Sequence, residues 1–264
     1  MRKIIQSILP KAVIGRIRNF RKEFKGYDSN YPIAQIYLDG NIQSTIGLNN
    51  YFSILEPLSD ISSKAKIIFY NEDGKKILKT CVPLKQWASS FVDVREMLKR
   101  KNLLSDQGIV TVNLIPKLGF KKSLLKFGYL SSHFFMFYNS LDRKSLSHIH
   151  PLSALDPNNA EDVYFQTSQR IFVQSLSHVK LYQMNPTTKE HEVKYTFISK
   201  AGEEVVKSIS IPANGVRVVQ FSPEDFKDKN VEQFHFSISP LPSSNAKPML
   251  MRVFNNGLFS MSHC

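Results

Sequence analysis

Short runs of apolar and β-branched residues alternate with turn residues along most of the chain, and this pattern predicts strands. The runs 65–70 and 75–82 are joined by a turn that ends in Asp73-Gly74, and Asp-Gly between such runs is a strong hairpin signal. Short strands separated by turns are typical of sandwiches and barrels and not of βαβ units. Further strands are predicted at 33–38, 50–55, 109–115, 129–138, 163–173, 178–184, 232–239 and 249–254.

The order of features in the first half returns about 128 residues later. The runs 193–199 and 204–211 flank a second turn that ends in Gly202. The matched positions include Lys66, Phe69, Gly74 and Ser145-Leu146-Ser147-His148 in the first half, and Lys194, Phe197, Gly202 and Ser260-Met261-Ser262-His263 in the second. A repeat of this length predicts two copies of one structural unit. The alternative is that two β-domains share the same hairpin features by chance.

We therefore predict an all-β chain of two tandem antiparallel β-sandwich domains related by an internal repeat, with an N-terminal amphipathic helix. The predicted boundaries are 1–27 for a basic leader, 32–150 for the first unit, 151–162 for a linker and 163–264 for the second unit. At 264 residues, the chain has room for two domains of ordinary size. Two short helical turns are predicted, at 94–101 after Asp93 and at 222–226, where Ser precedes Pro.

The first 25 residues carry an uneven share of the net charge of +13. They hold eight cations against Glu23, and apolar side chains recur among these cations at helical spacing. A helix of this kind inserts its apolar stripe into a membrane surface while its cations meet anionic headgroups. The predicted membrane-binding residues are Arg2, Lys3, Lys11, Arg16, Ile17, Arg18, Phe20, Arg21, Lys22, Phe24 and Lys25.

Two other interpretations of this leader stay open. It packs against the protein's own body or another subunit, or it binds nucleic acid. Nucleic acid is the less favoured partner, because the sequence holds no helix-turn-helix, zinc-finger or base-stacking signature. The oligomeric state does not follow from the sequence.

Composition favours a reducing compartment. Cys81 and Cys264 are the chain's two cysteines, too few for a disulfide framework. No apolar run approaches the ~18 residues that span a bilayer, and the N-terminus lacks the features of a cleaved secretory signal. We predict a cytoplasmic protein that is peripheral at the inner face of the membrane.

The repeat ends hold the best candidates for chemistry. His148 and His150 are two apart, so on a strand they project from the same face, and His263 occupies the position in the second unit that His148 holds in the first. Together with Cys264 they form a zinc ligand set if the final strands of the two units meet. The alternatives are that the Ser-x-Ser-His motif ends a strand with a backbone hydrogen bond in both copies, or that it binds another ligand.

Other catalytic motifs are absent. The sequence holds no Gly-rich phosphate loop, no Gly-x-Ser-x-Gly elbow, no Cys-x-x-Cys and no His-Glu-x-x-His. Trp87 follows the first hairpin, and we expect it to pack in the core or at a sheet edge. No cofactor is predicted, with zinc as the alternative.

Four stretches of the second unit resemble the sensory-rhodopsin-transducer family of small all-β sandwich proteins. They are His178–Asn185, Val193–Phe197, Ile211–Ala213 and Val216–Phe221. The resemblance implies a sandwich fold and, by analogy, a ligand-binding or partner-binding role. The leader is similar to those of soluble bacterial proteins that work on surface polysaccharide at the inner membrane.

The leading hypothesis is a non-catalytic ligand-binding or scaffold protein attached to the cytoplasmic membrane surface. Its expected partners are an anionic membrane, and a glycan, a lipid-linked sugar or another protein of bacterial surface-glycan assembly. The alternative is a metal-dependent enzyme with a histidine site at the interface of the two repeats.

Overall fold

The fold is described from a computed structural model. It covers residues 33–55, 62–103, 105–116, 134–151, 153–155, 163–167, 169–243 and 246–264. The predicted leader, 1–27, lies outside these residues, so its amphipathic helix stays a prediction.

Strands dominate the described residues, which confirms the all-β prediction. The strands are β1 (Ile33–Leu38), β2 (Ile42–Asn49), β3 (Ser63–Asn71), β4 (Lys76–Leu84), β5 (Ser89–Asp93), β6 (Gln107–Pro116), β7 (Phe134–Ser140), β8 (Leu146–Ile149), β9 (Ser153–Ala154), β10 (Val163–Gln166), β11 (Ile171–Phe172), β12 (Leu176–Met184), β13 (His191–Ser199), β14 (Glu204–Ile211), β15 (Val216–Phe221), β16 (Gln233–Leu241), β17 (Met249–Phe254) and β18 (Phe259–His263). Two short helices, α1 (Tyr51–Leu55) and α2 (Val94–Lys99), and a 3-10 turn (Pro223–Asp225) complete the elements described.

These strands form four antiparallel sheets. Sheet A has the order β4-β3-β6-β1-β9 and sheet B the order β5-β2-β7-β8. Sheet C has the order β10-β16-β13-β14, with β11 also paired to β16, and sheet D has the order β15-β12-β17-β18. Strand β9 belongs to the predicted linker and pairs with β1.

Sheet D contributes to two hydrophobic cores. Leu181 and Leu250 pack with sheet C in one core, whereas Tyr182, Met249 and Met251 pack with residues of sheets A and B in the other. This division follows from the strand period, because successive side chains project from opposite faces of a sheet. Sheet D is therefore buried on both faces and joins the two halves of the chain.

The β3–β4 turn touches the loop before β15. The amide N–H of Val216 donates to the carbonyl of Glu72 at 3.0 Å, and Arg217 pairs with Asp73 at 2.8 Å. Gly74 has a φ of +77° and lies so close to Ala213 that a Cβ atom would sit 1.9 Å from its carbonyl oxygen. Glycine is required here by both the backbone angle and the backbone contact.

The capping signals of the sequence are confirmed. The Asp93 side chain accepts a hydrogen bond from the amide of Glu96 and begins α2. Ser222 and Asp225 form a capping box at the 3-10 turn. Each cap satisfies backbone donors that the first turn leaves free.

Three predictions about local structure are wrong. Residues 51–55 form α1 and not a strand, because the segment leaves the sheet at a turn in which the Ser53 amide donates to the Asn50 carbonyl. The strand predicted over 163–173 is split into β10 and β11. Trp87 is 58% exposed, since it occupies a left-handed turn position with a φ of 57°.

Candidate functional site

The repeated Ser-x-Ser-His motif forms a seam between the two halves. Strands β8 and β18 are edge strands of sheets B and D, and edge strands leave backbone groups unpaired. Here the hydroxyl of Ser145 accepts from the amide of Phe259 at 3.0 Å, and the hydroxyl of Ser147 accepts from the amide of Met261 at 3.1 Å. The serines of the first motif thus satisfy two amides of β18, one of them within the second motif, which gives these serines a structural role.

The four residues predicted as a ligand set do not converge. The rings of His150 and His263 lie 4.9 Å apart. His148 instead lies beside Phe137, with ring centroids 6.0 Å apart, and Cys264 is packed against the second core. The final strands do meet, but the partner of His263 is His150 and not His148.

The environment of His263 and Cys264 favours their neutral forms. Burial lowers the pKa of His263, and the nearby His150 and Lys247 act in the same direction. Its Nε2 atom is buried and makes no hydrogen bond with a described residue. Burial raises the pKa of the Cys264 thiol to about 12, so the thiolate that would bind a metal is disfavoured.

A zinc centre needs three or four converging donors. Within the described ranges, no group of three or more His, Cys, Asp or Glu side chains is placed to hold a metal ion. The paired imidazoles of His150 and His263 supply two donors. The zinc alternative therefore lacks the remaining ligands among these residues.

A better-shaped site lies at one end of the second half, which we call the end cleft. It has a volume of about 530 Å³, within the range of small-ligand sites. It is formed by the start of β12, the 3-10 turn, the loop before β16 and the β17–β18 turn. Its lining residues are Val173, Leu176, Ser177, Ser222, Pro223, Glu224, Lys229, Val231 and Asn255.

A second cavity of about 540 Å³ adjoins the end cleft and shares Val173 and Val231 with it. Its lining includes Phe172, whose side chain is 67% exposed. Its one carboxylate, that of Glu232, lies 3.3 Å from the Lys200 ammonium. The two cavities together offer an exposed aromatic ring next to a polar recess.

Some polar groups of the end cleft are engaged and others are not. The Lys229 ammonium donates to the carbonyls of Glu224 and Phe226 at 2.8 and 2.9 Å, which fixes this lysine against the loop. The Glu224 carboxylate and the Asn255 side-chain amide line the cleft and make no hydrogen bond with other residues that the structure describes. These two groups are therefore available to a ligand.

The lining of the end cleft differs from that of a typical glycosidase site in its number of carboxylates. Glycoside hydrolysis uses a pair of carboxylates on either side of the scissile bond. Glu224 is the single carboxylate among the residues that line the end cleft. Hydroxyl, amide, ammonium and carboxylate groups together match a neutral ligand with many hydroxyls, because each hydroxyl both donates and accepts.

Sequence reasoning missed the end cleft as a site. In the sequence, Ser222-Pro223 indicates the start of a helix and nothing more. The turns that carry Glu224 and Asn255 contain no motif that marks a binding site. One signal was present: Ser175-Leu176-Ser177-His178 is a further Ser-x-Ser-His run without a place in the repeat. It puts Leu176 and Ser177 in the cleft wall.

The predicted membrane-binding residues between Arg2 and Lys25 lie outside the described residues. Among the described residues, the helices are too short and too polar for any of them to cross a bilayer.

Comparison with known proteins gives no family. No family profile matches the chain, and no curated protein is significantly similar. Among solved structures, a calcium-binding mutant of Bacteroides uniformis β-glucuronidase 2 matches 90% of this chain at 10% identity with a TM-score of 0.19. An Amycolatopsis orientalis exo-chitosanase variant matches 90% at 11% identity with a TM-score of 0.16. The chain spans only 27% and 26% of those enzymes, and similarities this low carry no functional argument.

Proposed function

We propose that this protein is a non-catalytic binding protein whose end cleft holds a neutral, hydroxyl-rich ligand, with a glycan as the leading class. The proposal rests on one observation. The Glu224 carboxylate and the Asn255 side-chain amide line a recess of about 530 Å³, and neither makes a hydrogen bond with another described residue. Both side chains are exposed, so a ligand would exchange their hydrogen bonds to water for bonds of its own, while the concave surface adds contact area.

Two further features support a glycan. The carboxylate of Glu224 accepts hydroxyl donors, while the amide of Asn255 both donates and accepts. The exposed ring of Phe172 in the adjoining cavity offers a flat apolar surface for the C–H face of a sugar. The absence of a second carboxylate from the residues lining the end cleft favours retention of the ligand over its hydrolysis.

Titration of the full chain with neutral mono- and oligosaccharides, followed by amide chemical shifts, tests this proposal. A ligand should shift the resonances of residues around the end cleft. Glu224→Gln and Asn255→Ala should each weaken binding about fivefold to thirtyfold, because the first removes the charge from a hydrogen-bond acceptor and the second removes a hydrogen-bonding group, each worth about 1–2 kcal/mol. Glu192→Gln, on the exposed face of β13, is the matched control and should bind like the wild type.

The proposal fails if no saccharide of the panel perturbs the end cleft. It also fails if a saccharide binds with equal affinity to the wild type and to both cleft variants.

We also propose that residues 1–25 attach the protein to an anionic membrane surface at the inner face of the cytoplasmic membrane, with a role in bacterial surface-glycan assembly. Eight cations against one acid in this segment, interleaved with apolar residues, support the attachment. Each cation at such a surface contributes roughly 1 kcal/mol. Flotation with anionic vesicles tests it: the full chain should float and a truncated chain beginning at Tyr27 should float much less. Equal flotation of the two would refute it.

We infer, in addition, that the two halves are copies of one sandwich unit. The order β4-β3-β6-β1 of sheet A parallels β14-β13-β16-β10 of sheet C, and β5-β2-β7-β8 of sheet B parallels β15-β12-β17-β18 of sheet D. This correspondence supports a duplication. An experimental structure tests it, since the two halves should superimpose strand on strand in this order, and a mismatch in more than one strand would refute it.

A further inference from the structure

One face of the β3–β4 hairpin carries lysines on both strands. Lys64 and Lys66 lie on β3, and their cross-strand partners on β4 are Pro83 and Cys81. Further along the same face, Ile68 lies opposite Lys79 and Tyr70 lies opposite Lys76. Alternation puts Lys64, Lys66, Ile68 and Tyr70 on one side of sheet A, and the register irregularity between Phe69 and Tyr70 brings Lys76 to the same side as Lys79. We call the surface formed by Lys64, Lys66, Lys76 and Lys79, with Ile68 and Tyr70 between them, the lysine face.

The two strands that form this face supply no compensating acid. Strands β3 and β4 contain no Asp or Glu. The acids of the connecting turn are engaged elsewhere: Asp73 pairs with Arg217 at 2.8 Å, and Glu72 accepts from Gln107 at 3.1 Å.

None of the four lysines makes an ion pair with another described residue. The positive potential of this face is therefore left for an external anion.

The position of the lysine face relates it to the leader. Residues 1–32 enter the described chain at Ile33, the first residue of β1. In sheet A, β6 alone separates β1 from β3, so the entry point lies about 10 Å from β3 at the usual spacing between strands. A membrane that holds the leader would lie within reach of this face.

We propose that the lysine face is a second membrane-contact surface, which binds anionic lipid headgroups and orients the protein on the bilayer. This inference rests on the proposed attachment through residues 1–25. The lysines form a strip along β3 and the edge strand β4, beside the part of sheet A where Thr111 and Ile109 are buried. At this edge the long lysine stems allow the ammonium groups to reach lipid phosphates. Half-buried Ile68 and Tyr70 add no exposed aromatic platform, which a nucleic acid would use for stacking.

Flotation with phosphatidylcholine vesicles, with and without 30% phosphatidylserine, tests the inference. The variant Lys64→Gln/Lys66→Gln/Lys76→Gln/Lys79→Gln is made in the full chain and in the chain that begins at Tyr27. A control of equal charge change is Lys99→Gln/Lys101→Gln/Lys194→Gln/Lys227→Gln, since these four lysines are exposed and lie outside the lysine face. Circular dichroism checks that both variants fold.

A cation near an anionic surface is worth about fivefold in partitioning. We expect the lysine-face variant of the full chain to partition at least about tenfold more weakly onto phosphatidylserine vesicles, and the control less than about threefold more weakly. The truncated wild type should bind these vesicles weakly at low salt, and the lysine-face variant should abolish this binding. Neutral vesicles should show no difference between the variants.

The outcomes separate the two proposals. If the full chain floats and the lysine-face variant floats equally well, the lysine face is not a membrane contact, while attachment through the leader stands. If removal of residues 1–26 has no effect but the lysine-face variant is lost from vesicles, the leader proposal fails instead. Loss of binding to duplex DNA with unchanged vesicle binding would overturn the lipid assignment of this face.

Discussion

The contact between Gly74 and Ala213 predicts that Gly74→Ala destabilises the protein far more than Gly202→Ala. The two glycines end matching hairpin turns, with φ angles of +77° and +87°. A Cβ atom at Gly202 would meet nothing within 4 Å, whereas a Cβ atom at Gly74 would lie 1.9 Å from the Ala213 carbonyl oxygen. Gly202→Ala therefore measures the backbone cost alone, and the difference between the variants measures the contact between the two halves.

The magnitude follows from the local geometry. An alanine in the left-handed region costs about 1–2 kcal/mol at either site. At Gly74 the facing carbonyl must also retreat by about 1.5 Å, from 1.9 Å to the 3.4 Å of ordinary contact. This movement disrupts the Val216–Glu72 backbone hydrogen bond and the two bonds of Arg217. These contribute about 1 kcal/mol for each hydrogen bond and less for the exposed ion pair, so Gly74→Ala should cost about 3–5 kcal/mol in total.

Urea unfolding of the full chain, followed by far-UV circular dichroism, gives both free energies by linear extrapolation. Adding Arg217→Met to Gly74→Ala should cost less than the sum of the single changes, because both perturb one contact. A difference below about 0.5 kcal/mol between the two glycine variants would refute the reasoning, since errors in such comparisons are of that size.

Three further predictions concern buried polar groups. Tyr138→Phe should cost about 1 kcal/mol, because its hydroxyl donates to the Ile36 carbonyl at 2.7 Å. Tyr182→Phe should be nearly neutral in the same urea assay, since its hydroxyl has only a sulfur contact at 3.8 Å; equal losses would contradict this. Asn185→Ala should cost about 3 kcal/mol or more, because its two N–H groups are shared among three backbone carbonyls and its Oδ1 accepts from the amide and hydroxyl of Thr187; a loss under 1 kcal/mol would count against that role. Burial lowers the pKa of His263 below 6.5, so the stability that neutral His263 contributes is present above pH 6.5 and is lost as the pH falls. The variant His263→Gln should therefore show a smaller fall in melting temperature below pH 6.5 than the wild type. An unchanged pH profile of the melting temperature would show that His263 is not responsible.

The local elements followed from the sequence where a single residue decides the backbone. Both hairpins form around the predicted glycines because Gly74 and Gly202 adopt positive φ, and α2 begins at the predicted cap Asp93. Strand β1 has the predicted limits of Ile33 and Leu38. In each case the residue that predicts the element lies within a few residues of that element in the sequence.

Strand β2 could not be predicted in this way. Its run from Ile42 to Asn49 is interrupted by Gly47, which weakens a strand pattern. The reason for this glycine lies on other strands: a Cβ atom there would come within 2.7 Å of the Phe137 ring and 3.5 Å of the Phe91 ring. Contacts of this kind become visible only after the strands are paired.

The candidate site depends still more on tertiary structure. The zinc hypothesis required the repeat ends to meet, which the sequence alone did not establish. The ends do meet, but strand register decides that His263 lies beside His150 and not beside His148. The end cleft joins Ser177, Glu224 and Asn255, which belong to the start of β12, the 3-10 turn and the β17–β18 turn. No spacing within the chain relates these residues, so only the fold brings them together.

The two-sided burial of sheet D has a consequence for synthesis of the protein on the ribosome. The core that contains β1 and β7 also contains Met249, Met251, Phe259 and Met261. A nascent chain that has emerged only as far as β8 therefore leaves part of its apolar surface exposed to solvent. That surface stays uncovered while more than a hundred further residues are translated. Chaperones that bind such surfaces would meet this chain early and release it only after β17 and β18 have docked.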